Sequence, residues 1–302
     1  MKKILLTLCI LSMLAMQTGC AEMLADVFAA GAVTALAAQS DQSSLLSTIS
    51  DSIQSSEAIC DSIMELIDWE TSEYEIAVKE RGASDQAEAS PEEHEQSVAE
   101  TRRRFAELDG YIDEIAALAR NLDGLSADGQ TNAGKALAAA REYFKMLGEC
   151  SADLKAICDY NLDLNDALGP IVDFDPPAST TGEFDYSLFA GQLSQVVSQS
   201  QTLLGRVGVP SHIAGSHNDL VKRVDEFQAF CQDFSKSVQL SDPLRLYSCI
   251  YRLSRLEIML DKNGSNLDDD INLQFVHAKT RLNGPISLLR GELQQNIALL
   301  SQ

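Results

Sequence analysis

The sequence predicts an all-α protein, an elongated up-and-down helical bundle or pair of bundles with coiled-coil-like seams. Three observations carry that expectation. Apolar residues recur at alternating steps of three and four, the spacing that lays one stripe along a helix. Helix breakers are scarce, with 7 Pro and 17 Gly in 302 residues, while Ala, Leu, Gln, Glu and Ser abound. No stretch keeps the strict alternation of a half-buried strand.

The chain opens MKKILLTLCILSMLAMQTGC. Lys2 and Lys3 give a positive start, and Ile4 to Met16 form an apolar run too short to span a bilayer as a stable anchor. Together they have the order of a secretory signal peptide. The stretch closes on Thr18-Gly19-Cys20, and there it resembles the leaders of bacterial lipoproteins, in which a small residue precedes the Cys that becomes lipidated and N-terminal. Gly19 and Cys20 match; Gln17 stands where that class usually has Leu. The resemblance is confined to these residues. It implies that 1–19 is removed, that Cys20 carries acyl chains, and that these chains hold the protein on a membrane of the bacterial cell envelope, facing the periplasm or the outer surface; the other reading is an ordinary leader cut near Ala21, with Cys20 incidental.

Residues 20–41 then read as a tether with one short apolar helix. Its run Val27 to Ala38 is again too short to cross a membrane, and reads as a helix resting on the body or the bilayer. A membrane-inserting segment is the alternative.

A first bundle of three long helices is expected over 42–168. The first seam runs Leu46, Ile49, Ile53, Ser56, Cys60, Ile63, Ile67, Glu70, Tyr74 and Ala77. Ser90, Pro91 and two glutamates start the second helix in the order that a cap, a first-turn proline and a positive helix end favour. Its seam passes through Val98, Thr101, Phe105, Leu108, Ile112, Ile115, Ala119 and Leu122. The third helix, about 130–166, carries Ala140, Tyr143, Leu147, Leu154 and Ile157. Residues 169–184 hold three prolines and no helical period, and read as a linker.

A second bundle of four or five helices is expected over 185–302. Residues 185–207 set Phe189, Leu193, Val196 and Leu203 on one stripe; 211–239 set Ile213, His217, Leu220, Val224, Phe227, Cys231, Phe234 and Val238. After Ser241-Asp242-Pro243, residues 243–262 carry Leu246, Ile250, Leu253 and Leu260. Asn263-Gly264 reads as a turn with Asn266 capping the next helix. A kink is expected at Asn283-Gly284-Pro285. Helices of this composition are marginal alone in water; the seams need partners, and short turns make those partners antiparallel.

Charge narrows the function. Without Lys2 and Lys3, 21 basic residues face 45 acidic ones, a formal charge of −24. That leaves too few cations to neutralise phosphates, which excludes a nucleic-acid partner, and disfavours lying flat on an anionic membrane. Beyond Cys20 the thiols are Cys60, Cys150, Cys158, Cys231 and Cys249. Export permits pairing. Cys231 and Cys249 flank one turn on antiparallel helices, and Cys60 and Cys150 sit at similar depth in two parallel ones, so these are the candidate disulfides. The other reading is that all five are small core residues.

Local catalytic signatures are missing: no Glu-x-x-His pair for a di-iron bundle, no haem attachment motif, no nucleophile elbow and no phosphate loop. His212 and His217 are poorly spaced for one metal, and His217 falls on a seam, where it reads as a hydrogen-bonded core residue. His94 and His277 read as exposed, and Trp69 as a packing or interface residue. Asp261, Asn263, Ser265 and Asp269 alternate as in a calcium loop, but Asn266 and Asn272 replace the glycine and glutamate on which such a loop depends. The expectation is a non-enzymatic, cofactor-free envelope protein that works by contact, touching the membrane through Cys20 and a protein partner or another copy of itself. The alternatives are a small-molecule or cation sensor lined by Ser56, Glu70 or His217, and a membrane-active protein that uses residues 27–38.

Overall fold

A computed structural model describes residues 39–81, 91–175 and 185–300. Cys20, the run Val27 to Ala38, Ser90 and residues 176–184 lie outside them. Among the described residues there is no strand. The helices are α1 (Gln39–Arg81), α2 (Pro91–Asp123), α3 (Asn132–Val172), α4 (Tyr186–Leu204), α5 (Ala214–Gln239), α6 (Pro243–Arg281) and α7 (Ser287–Leu300). The all-α expectation holds, and neighbours run antiparallel. On α4 and α5, Gln201 pairs with Asp225 while Phe189 meets Phe234 edge-on. On α5 and α6, Ser216 pairs with Asp270, Asp233 with Arg252, and Ser237 with Cys249.

Contacts divide the described residues into two compact units: those up to Asp68, Ala106–Ala152 and those from Ala278 onward in the first, and those within Trp69–Phe105 and Asp153–His277 in the second. The division falls within the long helices, so α1, α2, α3 and α6 each contribute to both.

The first unit is built on the predicted seams. Ile49, Ile53, Ile63 and Ile67 of α1, Leu108 and Leu122 of α2, and Tyr143 and Leu147 of α3 are all essentially buried. Each contributes roughly 1.5–3 kcal/mol of burial. The α2–α3 turn is closed by side chains. Arg141 donates to the carbonyls of Leu122, Asp123 and Leu125 at 2.8–3.3 Å, satisfying groups that the end of α2 leaves open. Thr131 caps α3 through the Gly134 amide at 3.0 Å. The chain folds so tightly here that a Cβ on Gly134 would stand 2.0 Å from the Asp128 carbonyl oxygen.

The second unit adds aromatic contacts to its aliphatic seams. Phe227, Phe230 and Phe234 stack in turn along α5, and Phe105 of α2 stacks on Phe275 of α6. Asp185 caps α4 through the amides of Ser187 and Leu188. Asp242 does the same for α6, next to Ser241 at φ 48° and with Pro243 as first residue.

Four local expectations change. Helix α3 runs through Gly169-Pro170 to Val172, because a proline this near the end removes one hydrogen bond with only two residues left to hold. Helix α6 runs unbroken through Asn263-Gly264. Gly in a helix costs about 0.5–1 kcal/mol, less than burying one Leu, and Leu256, Leu267, Ile271 and Phe275 keep one buried face on both sides of it. Helix α4 buries Ala190, Leu193, Val197, Ser200 and Leu204, one step round from the expected stripe, of which Phe189, Val196 and Leu203 are only half-buried. Towards the end of α5, Ser237 is buried where Val238 is expected. The kink falls where expected: Gly284 leaves helical geometry at φ −98°, ψ −106°, with Pro285 beside it.

Candidate functional site

Three polar seam residues found from the sequence come to rest in built surroundings. In the first unit, Ser56 donates to the Ile53 carbonyl at 2.6 Å. Its one proton is then used, so Tyr143 donates its phenolic proton to Ser56 Oγ at 2.7 Å, and the Cys60 thiol lies 3.7 Å from the Tyr143 oxygen, which is left to accept. The result is a buried chain from thiol to phenol to hydroxyl to carbonyl. Burial pushes both the Tyr143 phenol and the Cys60 thiol above their ordinary ranges, so both stay protonated and the chain keeps its donors.

Cys60 also borders a cleft of about 40 Å³, with Asp61 and Met64 of α1 and Leu282, Asn283, Ser287 and Arg290 around the kink. It has room for two or three waters, against the several hundred Å³ of a small-molecule site. Gln294 donates to Glu57 at 2.7 Å, and Arg290 stands 3.9 Å from the same carboxylate.

In the second unit, His217 sits edge-on to Tyr160, with Nδ1 3.0 Å from the phenolic oxygen. Burial holds its imidazole below the usual range and hence neutral. Burial also raises the Tyr160 phenol, helped by the Asp268 carboxylate, so Tyr160 is the donor. Glu70 is half-buried; burial, then the Glu73 charge, push its carboxyl up to about 7 against the pull of Arg104. Arg104 lies over the Trp69 ring at 4.7 Å and donates to Glu100 at 2.7 Å. Glu100 also takes two bonds from Arg103, and these partners hold it down at about 2. Trp69 is thus a platform for a cation.

The candidate disulfides are out of level. Cys249 faces Ser237 at 3.8 Å, so Cys231, six residues back along α5, stands ~9 Å away along the axis, beyond disulfide reach. Cys60 lies against Tyr143, which places Cys150 about two helical turns further on. Cys150 instead points its thiol at the Ala278 carbonyl, 3.8 Å away. All five thiols are buried; burial pushes Cys231 up to about 12. Asp261, Asn263, Ser265 and Asp269 lie on continuous helix, so the loop that would gather them does not form and Asn263 points away from the other three. Cys20 lies outside the described residues.

The buried face of α6 runs through Cys249 and Leu256 rather than through the expected seam, of which Leu246, Leu253 and Leu260 are only half-buried; a further feature of the helix lies opposite that buried face. Leu244, Tyr247, Tyr251 and Ile258 are 70–84% exposed and make a second row, at the same steps of three and four, on the opposite side of the helix. Counting that locates core seams locates this row too; only burial shows which face of the helix points inward. Leu240, in the adjoining turn, is 65% exposed. Compared with known proteins, the chain matches no family model, no curated protein and no solved structure.

Proposed function

We propose that this is a lipid-anchored protein of the bacterial cell envelope that acts by contact rather than catalysis, tethered through Cys20. The leader residues Lys2 to Cys20 support export and tethering. The observation that carries the contact reading is how the two kinds of side chain are spent. Ser56, Tyr143, Tyr160 and His217 satisfy one another inside the cores, whereas large apolar side chains stand in a row on the outside of α6. Buried polar pairs of that kind fix the packing of helices; an exposed apolar row marks a surface for another macromolecule.

The test is crosslinking in the native cell, from photoreactive residues placed along exposed helix faces. Crosslinks to protein concentrated on one face support contact. A chain that crosslinks to nothing from any face, and whose melting temperature rises with a small molecule or cation, belongs to the sensor reading instead.

A further inference from the structure

We infer that the outer row of α6 is a self-association seam, on which a second copy of this chain packs its own α6 in parallel. The inference rests on the contact reading and names its partner.

Leu244, Tyr247, Tyr251, Ser254 and Ile258 follow steps of three, four, three and four. The four apolar members span an arc of only ~60° over ~21 Å of helix. A helix face that lies on a broad core or in a bilayer is apolar over ~100° or more; a narrow heptad row is the complement of another helix. The surface is ready-made, because the opposite face of α6 is already anchored through Cys249 and Leu256, so little order has to be gained on pairing. With aromatic side chains worth roughly 150–250 Å² each, the row and Leu240 offer on the order of 600 Å² per copy. A symmetric pair then buries about 1,200 Å², the lower end of what stable specific interfaces use.

The edges of the row choose the partner and its direction. Glu257 borders it on one side, Arg255 and Lys262 border it on the other, and Asp261 follows one step beyond Ile258 on the row itself. In a parallel pair, Glu257 of each copy meets Lys262 of the other, five residues on, and the two-fold makes the pairing twice. An antiparallel pair would set the Arg255 edges against each other.

The test uses the full chain with Ser254→Cys, which places a thiol where the two copies meet on the seam. Mild oxidation in expressing cells is expected to give a disulfide-linked homodimer, and Arg252→Cys, off the seam, is not. Light scattering on the detergent-solubilised wild type is expected to give the protein mass of two copies. Tyr247→Glu with Tyr251→Glu should weaken pairing at least about tenfold with an unchanged helical spectrum. A wild type that scatters as a monomer, together with a Ser254→Cys chain that forms no linked homodimer, overturns the inference. If the introduced thiol then joins a different protein, the second copy is wrong and contact survives; if it joins nothing and no exposed face crosslinks, both fall. A monomer whose Cys20→Ala form, free of acyl chains, floats with vesicles of anionic phospholipid, and loses that on the Glu substitutions, makes the row a lipid surface and also overturns it.

Discussion

Tyr143 on α3 donates to Ser56 on α1 across 2.7 Å, although the two stand 87 positions apart in the sequence. This bond joins two helices of the first unit between two fully buried side chains. Tyr143→Phe leaves Ser56 Oγ without its donor and Cys60 without its acceptor. The expected loss is about 1–3 kcal/mol of unfolding free energy. Adding Ser56→Ala should recover part of it, and a double-mutant cycle in denaturant measures the coupling. Strictly additive single effects would show that the bond does not form.

Two glycine substitutions should act in opposite directions. Gly134→Ala drives a methyl into the Asp128 carbonyl and should lower the melting temperature by several degrees or more. Gly110→Ala, on α2 with nothing within 4 Å of the added carbon, should stabilise by about 0.5–1 kcal/mol. Equal effects would mean that the α2–α3 turn is looser than described.

Ser200 is fully buried on α4, and its Oγ has no hydrogen-bond partner among the described residues. Ser200→Ala removes a desolvated hydroxyl and inserts the better helix former, so it should stabilise by up to about 1 kcal/mol. A destabilisation measured in denaturant would reveal a bonded hydroxyl, such as one held by a water.

Glu70 gives a pH dependence of known sign. Its carboxyl is raised from 4.5 to about 7 in the fold, so the folded state holds the proton more tightly than the unfolded one. The stability this gives is complete below pH 4.5 and is lost as pH rises to about 7. Glu70→Gln lacks that slope, so its melting temperature relative to wild type should climb across the same window and then level. His217, lowered by burial from 6.5, acts oppositely, with stability lost as pH falls below that value, but it is common to both proteins and cancels. A difference that stays flat would place Glu70 in water.

Much of the fold is legible in the sequence because helix seams are local. Ile49, Ile53, Ile63 and Ile67 declare their face by spacing alone, and Gly284-Pro285 declares its kink. What is not legible depends on distance or degree. Asn263-Gly264 carries the residues of a turn, but the buried face of α6 outweighs one glycine. Counting from turns sets the level of each cysteine, and an error of six or seven residues in level separates sulfurs by ~10 Å. The partners of Ser56 and His217 lie on other helices, and no spacing rule connects Ser56 to Tyr143 or Tyr160 to His217. Tyr247 and Tyr251 have the period of a core seam, and sequence cannot say which of two stripes on one helix faces solvent.

The functional account hangs from the tether. Its most direct test is the mass of the N-terminal peptide of the protein purified from its native membrane. The account predicts a peptide that begins at Cys20 and carries acyl chains, and loss of the protein from the membrane fraction on Cys20→Ala. An unmodified Cys20, in a protein that washes freely from the cell, would contradict it.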